Sequence, residues 1–348
     1  MSESAHILTS AIRDPLRTAR EFGCDVDRLV HSAAIDTASP GFAAGTLPLH
    51  RFVALNQLAA RDLAAPHFGR LAAQRFDLSS IGPVGRAALA APTLGAALRL
   101  LESSFLAIQG ETDLRLEVAE GVATLSYRIL DLDIWPRDQD AELTISVMMR
   151  LVGSVAGPGW QPLSLGFEHG AGGAERHAGG DPRCPVVYGA QTNSVSFQDG
   201  LLDRRLPSCD AMLFARLSDV LRRRIDLLEQ EASVTDKARR LIRRGIGTPA
   251  VDQTGIAQDL GMSRRSLRRH LAEEGTNFAL LLGECRDEMA RRLLRETQLP
   301  LAEIADRLGY SETSGFERAF RNRTGATPAQ YRRGAQGATP NNSRRFDR

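Results

Sequence analysis

The feature that most constrains this chain is a phrase written twice near its C-terminal end. Residues 256–263 read Ile-Ala-Gln-Asp-Leu-Gly-Met-Ser and residues 304–311 read Ile-Ala-Asp-Arg-Leu-Gly-Tyr-Ser, so Ile, Ala, Leu, Gly and Ser recur at an offset of 48 residues. In each copy the isoleucine, alanine and leucine share one helical face, and the glycine ends that helix in the left-handed conformation that costs it least. The serine then stands where the N-cap of a following helix belongs. Two helices joined by a short glycine turn form a helix-turn-helix, whose second helix fits the DNA major groove. Short helical hairpins occur in many all-helical folds, so one copy says little. Two copies, each leading into a basic helix, point to nucleic acid.

Charge agrees with this reading once it is resolved along the chain. The formal net charge is +2, but residues 234–348 carry a net +8 and residues 1–233 a net −6. A basic C-terminal third is the electrostatic footprint of a polyanion-binding region. At 348 residues the chain is long enough for two or three domains, and 43% hydrophobic residues supply sizeable cores. It contains no run of about 18 apolar residues. The first 30 residues include Arg13, Asp14, Arg17, Arg20, Glu21, Asp25, Asp27 and Arg28, which fits neither a transmembrane helix nor a signal peptide. A cytoplasmic protein with no membrane partner is expected. Cys24, Cys184, Cys209 and Cys285 are scattered, with no CxxC pair, so neither a zinc site nor any other metal or cofactor is expected.

Residues 1–80 read as helical, with segments at 6–20, 25–33, 49–63 and 67–75, and 77–85 as a turn-rich connection. Thr93 stands as the N-cap of a helix running to about 107. Strands are expected at 113–118 and 122–130, where Leu114, Leu116 and Val118 alternate with Arg115 and Glu117. A helix over 139–155 places Leu143, Val147, Met148, Leu151 and Val152 on one face, and its methionines read as core filler. Shorter strands follow at 164–168, 186–188 and 194–197. The Gly-rich stretch 170–180 lacks the flanking strand and helix of a phosphate loop and reads as plain loop. His169, beside Glu168, reads as a structural strand-end histidine rather than a metal ligand. These elements predict an α+β N-terminal domain with a small antiparallel sheet. A long helix from Asp210 to Glu231 then carries Leu213, Phe214, Leu217, Val220, Leu221 and Leu228. That stripe leaves two readings open, packing on its own domain or a dimer seam.

From 235 onward the pattern is helical without strands, giving an all-α C-terminal domain with two helix-turn-helix motifs joined by a long helix. Thr235 is expected to cap the first helix, Ser263 the helix 264–274, Thr276 a helix of about 20 residues to 296, and Ser311 the helix 312–324; Gly275 and Gly325 end their helices. Thr327 and Pro328 open a last helix as N-cap and N1 residues. On the first candidate recognition helix, Arg264, Arg265, Arg268 and Arg269 lie outward while Leu267 and Leu271 face inward. Arginine in such a stripe bonds guanine O6 and N7 or neutralises phosphates. On the second, Phe316 and Phe320 face inward, and Thr313, Ser314, Glu317, Arg318 and Arg321 are outward or flanking. Gly315 in its first turn admits close approach of a base or sugar, or of a packing helix. A connecting helix of about 20 residues is about 30 Å long, near the roughly 34 Å repeat of B-DNA.

Residues 291–332 closely resemble the signature of AraC/XylS-type transcription regulators, and the match extends back through Leu-Gly-Met-Ser-Arg-Arg-Ser-Leu-Arg-Arg-His-Leu-Ala-Glu-Glu-Gly-Thr-Asn-Phe at 260–278. Carried over by motif, the family's base-contacting positions fall on Arg265, Arg268, Arg269, Thr313, Ser314 and Arg318. The chain departs from the pattern at Gly315, Glu317 and Asn322. Pro-His-Phe-Gly at 66–69, Gly-Trp-Gln-Pro at 159–162 and Cys-Pro-Val-Val-Tyr-Gly-Ala at 184–190 are similar to the effector domain of an arabinose-binding-like subgroup, although nothing in residues 1–206 spells sugar chemistry.

The resemblance implies an effector-sensing domain at 1–206, a helical linker at 207–233, a DNA-binding domain at 234–334 and a disordered tail at 335–348. It implies a non-enzymatic regulator whose partners are a double-stranded DNA operator, RNA polymerase and an unidentified small-molecule effector; a second copy of the chain joins them on the reading of the 210–231 stripe as a dimer seam. Two other classes compete: a DNA-binding module fused to an alkyl transferase, for which Cys184 lacks a Pro-Cys-His-Arg context, and an architectural DNA binder of low specificity.

Overall fold

The computed structural model describes residues 5–131, 133–170, 184–246 and 251–337. The chain divides into two compact units, with the boundary between Glu231 and Ala232. The Gly-rich loop at 171–180 and the tail beyond residue 337 lie outside the described residues.

The first unit opens differently from the helix its periodicity suggests. Strand β1 (His6–Leu8) precedes a 3-10 turn and then α1 (Arg13–Glu21). β1 pairs antiparallel with β2 (Thr46–Pro48), which was not expected either. Between them, α2 (Val26–Ser32) is capped by Asp25 and α3 (Pro40–Ala43) by Ser39. Helices α4 (Leu49–Asp62) and α5 (Phe68–Arg75) follow. Within the stretch read as turn-rich, α6 (Pro83–Ala90) begins at Pro83. A proline at N1 opens a helix, since its missing N–H would have been unpaired there anyway. Thr93 caps α7 (Leu94–Ser104), accepting from the Ala96 amide at 3.2 Å.

β3 (Thr112–Ala119) and β4 (Val122–Ile129) form a hairpin with Leu114 opposite Tyr127 and Leu116 opposite Leu125. The two-residue turn Glu120-Gly121 has φ of 52° and 82°, the left-handed pair that matches the twist of the strands. Helix α8 (Asp138–Ala156) precedes β5 (Ser164–Phe167), β6 (Val186–Tyr188) and β7 (Asn193–Gln198). The strand order is β3-β4-β7-β5-β6, antiparallel except for the β5–β6 edge. Leu143, Val147, Met148, Leu151 and Val152 of α8 are all buried, as their spacing predicts. α8 also packs closely on α5, where a Cβ on Gly69 would collide with the Gln139 carbonyl.

At one end of the sheet sits a buried polar network. Glu168 accepts from Arg137 Nη2 at 3.1 and 2.8 Å, lies 3.2 Å from Arg128 Nε, and is also bonded by the Asn193 amide. Arg137 spans onward to the Ile129 carbonyl at 2.7 Å. A buried carboxylate needs such partners, because desolvation without them costs several kcal/mol. His169 makes tilted ring contacts with Phe167 and Tyr188, and its Nδ1 lies 3.0 Å from the Gly170 carbonyl. Helix α9 (Ala211–Glu231) packs against α6 and α7 of its own unit. Its predicted stripe splits: Phe214, Leu217 and Leu221 join the core, while Leu213 and Val220 stay exposed.

The second unit is helical throughout its described residues: α10 (Val234–Gly245), α11 (Gln253–Asp259), α12 (Arg264–Glu273), α13 (Phe278–Glu296), α14 (Leu301–Arg307), α15 (Thr313–Thr324) and α16 (Pro328–Gly337). Three caps differ from expectation by one or two residues. Ser233, not Thr235, caps α10; Asn277, not Thr276, caps α13 by accepting from Leu280 N at 2.9 Å; and Glu312 rather than Ser311 occupies the N-cap of α15, without a side-chain bond. Neighbouring Ser, Thr and Asn compete for one cap on nearly equal terms, so packing decides among them.

Candidate nucleic-acid interface

The two copies of the repeated phrase fold alike. Gly261 and Gly309 adopt φ of 65° and 72°. Each is followed by the same turn-closing bond, Met262 N to the Ala257 carbonyl at 2.9 Å and Tyr310 N to the Ala305 carbonyl at 3.0 Å. Ile256 and Ala257 of the first copy and Ile304, Ala305 and Leu308 of the second are buried. α11 with α12, and α14 with α15, are therefore helix-turn-helix pairs. They differ at the entry to the second helix. Ser263 caps α12 by accepting from the Ser266 amide at 3.1 Å, whereas α15 starts one residue later relative to its glycine.

Within α12, Leu267 and Leu271 are fully buried. At helical spacing this turns Arg264, Arg265, Arg268 and Arg269 outward, and all four are exposed. Arg269 lies 3.6 Å from Glu273, the following turn's carboxylate. Among the described residues Arg264, Arg265 and Arg268 make no ion pair, and guanidinium groups in that state are available to phosphates or base edges.

α15 is anchored by Phe316 and Phe320 in a run of aromatic contacts from Tyr310 to Tyr331, with ring centroids 5.4–5.8 Å apart. Ser314, Glu317, Arg318 and Arg321 are exposed and Thr313 half-buried. Ser314 Oγ donates to the Glu312 carboxylate at 3.1 Å. Gly315 has open space about it: a Cβ there would meet only Tyr310 Cδ1, at 3.9 Å. Packing within the unit therefore does not require glycine at this position.

α13 joins the two pairs and is tied to both sides. Arg239 and Arg243 of α10 reach Glu284 and Glu288 at 3.1 and 2.9 Å. Arg286 donates to the carbonyls of Leu308 and Gly309 in the second glycine turn. Sequence reading missed Arg286, which looks like one more solvated charge on a basic helix. Its signal is the stacking partner Tyr310, 24 residues away and visible only once the chain is folded. At the other end of α12, the Glu274 carboxylate accepts from the amides of Val234 and Thr235 and so caps α10; those bonds draw its pKa down against the upward push of its burial.

The cysteines show no sign of nucleophilic activation in the one fully buried case, since burial pushes the Cys285 thiol up to about 12. Among the described residues, no three His, Cys, Asp or Glu side chains gather as a metal site would. No described helix is long and apolar enough to cross a membrane.

Fold and interface together define a DNA-binding transcription regulator with a separate N-terminal domain. Residues 23–206 match the family described as the arabinose-binding domain of AraC transcription regulators, and residues 256–334 match a helix-turn-helix domain family. The chain belongs to the AraC-type transcription regulators. It is 27% identical to the ornithine utilization regulator of Pseudomonas aeruginosa, over 90% of this chain and 92% of that one. It is 29% identical to the transcriptional regulator VirS of Mycobacterium tuberculosis, over 82% and 84% of the two chains. A higher identity, 37%, relates it to the uncharacterized regulator Mb1430 of Mycobacterium bovis, but there the match spans 42% of this chain and less than half, 43%, of that relative.

Proposed function

We propose that α12 and α15 read successive major grooves on one face of a DNA operator and that a small molecule at the N-terminal unit modulates this binding. The observation that carries the reading is the pair of exposed arginine rows, Arg265 with Arg268 and Arg318 with Arg321, on the second helices of two like-folded motifs. The 19 residues of α13 span about 28 Å at roughly 1.5 Å per residue. That length suits two recognition helices set about one turn of DNA apart. On this reading α12 supplies most of the electrostatic affinity, through Arg264, Arg265, Arg268 and Arg269, and α15 reads more selectively through Thr313, Ser314, Glu317 and Arg318. RNA polymerase is the protein partner, and a second copy meets the first along the exposed Leu213, Val220 and Leu227 of α9. The compartment is the cytoplasm.

The test is occupancy of genomic DNA by the purified protein, followed by the ratio of specific to random-DNA affinity at one fixed salt concentration. A few sharp sites with a ratio of at least about 10³ are expected for specific readout. Even coverage of the genome with a ratio near unity would replace this reading with that of an architectural binder held by phosphate contacts alone.

A further inference from the structure

In the N-terminal unit a groove of about 390 Å³ opens among α5, α8 and β5. Its apolar surface comes from Met149, Leu165 and Phe167, with Trp160 from the loop after α8 as a further wall. Leu165 and Phe167 are buried core residues. Trp160 packs beside Gly153, where even a Cβ would come within 3.7 Å of the indole. The indole N–H is shielded from solvent and has no hydrogen-bond partner among the described residues.

Among the described residues the ionisable ones lining the groove are Arg70 and Arg150, and no carboxylate is with them. Arg150 is held in place by the carbonyls of Ala73 in α5 and of Phe76 just after it, its Nη1 donating to both, at 2.7 Å to Phe76. Arg70 lies 3.7 Å from Glu142, whose carboxylate is bonded more closely by His67 at 3.0 Å. The groove thus combines a fixed positive charge and an unpartnered N–H donor with an apolar, partly aromatic surface. Its volume falls in the range of small-molecule sites, roughly 300–1,000 Å³. Gln74, Ser146 and Gln161 also line the groove and can bond hydroxyls, but a neutral sugar would leave the guanidinium charges without a counter-charge and set further hydroxyls against Met149, Leu165 and Phe167. An apolar body bearing one carboxylate satisfies each part: the body covers the aromatic floor and the carboxylate meets a guanidinium fork. Of two further spaces in this unit, the one beside Asp140 and Thr144 is only about 50 Å³, and one of about 460 Å³ carries the Asp77 carboxylate in its lining, a like charge to any organic anion.

We propose that this groove is the effector site and that its ligand is a small organic carboxylate with an apolar body; the assignment rests on the reading of the chain as an effector-responsive regulator. The test uses the full chain without DNA, titrated by calorimetry and tryptophan fluorescence with 4-phenylbutyrate, octanoate and indole-3-acetate, each beside its neutral amide, and with L-arabinose. Saturable binding of at least one carboxylate, with its amide ~10-fold weaker or worse, is expected from loss of the charge-assisted pair. Arg70→Gln and Arg150→Gln should each weaken that carboxylate by a similar factor, and Trp160→Phe should abolish the fluorescence change. Arg70→Gln leaves the Arg150 link to α5 intact, so it keeps the test decisive if Arg150→Gln melts early.

Amides binding as well as acids, arabinose binding instead, no binding by any of the three carboxylates, or folded arginine variants binding like the wild type would each overturn the proposal. A carboxylate that binds here yet leaves the affinity for the operator unchanged would overturn the effector assignment. Operator affinity of the unliganded chain is measured separately, so failure of DNA recognition is distinguished from failure of this site.

Discussion

Arg286 of α13 holds the backbone of Gly309: its Nη2 donates to that carbonyl at 2.9 Å while its Nε donates to the carbonyl of Leu308 at the same distance. The guanidinium carbon also lies 4.6 Å from the centroid of the Tyr310 ring. The connecting helix is in this way fastened to the glycine turn that aims α15. Arg286→Ala is expected to lower the unfolding free energy by about 1–3 kcal/mol, the cost of losing charge-assisted bonds to two carbonyls. It should also weaken the operator half facing α15 more than the half facing α12. Lysine cannot reproduce the fork, so Arg286→Lys should behave nearly like alanine. Urea unfolding together with footprinting checks this, and an equal loss over both half-sites would reject the positioning role.

Direct base reading by Arg268 and Arg318 makes a prediction of its own. Replacing either by alanine should cost roughly 1–3 kcal/mol at the operator and much less on random DNA, because a lost base contact carries sequence information and a lost phosphate contact does not. Binding isotherms on both DNAs at matched salt measure the difference. Parallel losses on the two would assign these arginines to the phosphate backbone.

Gly315 separates stability from binding. A Cβ at this site meets nothing closer than 3.9 Å, and alanine in place of glycine inside a helix gains about 1 kcal/mol. Gly315→Ala is therefore expected to raise the melting temperature and, where the backbone of α15 approaches DNA closely, to lower operator affinity. A variant that is more stable and binds undiminished would show that the glycine has no part in recognition.

Asp140 gives the N-terminal unit a pH dependence. Burial pushes its carboxyl up to about 6 from the ordinary 3.8, against the opposing hydrogen bond from Tyr127 Oη at 2.7 Å. A raised folded-state value stabilises the protonated form, so the contribution is fully present below the ordinary value and is lost as pH rises through about 6. Asparagine keeps an acceptor for Tyr127 and cannot ionise. Asp140→Asn should thus gain on the wild type by roughly 2–3 kcal/mol between about pH 4 and pH 7. Denaturant unfolding across that interval tests the sign, and a difference that does not change with pH would contradict it.

The C-terminal unit was legible in the sequence almost element by element, because its signals are local. Ile256, Ala257 and Gly261 declare a helix and its end within six positions, and Ile304, Ala305 and Gly309 repeat the statement. Inward Leu267 and Phe316 set the outward faces of α12 and α15 by helical spacing alone. The errors were also local: Asn277 rather than Thr276 caps α13. The N-terminal unit was less legible. Pro83 reads locally as a turn though it opens α6, and β1 reads as part of a helix because its partner, β2, lies about 40 residues away.

What the sequence determined by itself is the class of protein and the outward residues of α12 and α15, since side chains three or four apart on a helix are neighbours in any fold that keeps the helix. What only the tertiary structure decided depends on residues far apart in the chain. The Arg286 latch onto Gly309 joins positions on two elements. The burial of Glu168 between Arg128 and Arg137 required the sheet to close. The carboxylate groove required α5, α8 and β5 to bring Arg70, Arg150 and Phe167 to one place. Such juxtapositions are products of long-range packing, and no local periodicity encodes them.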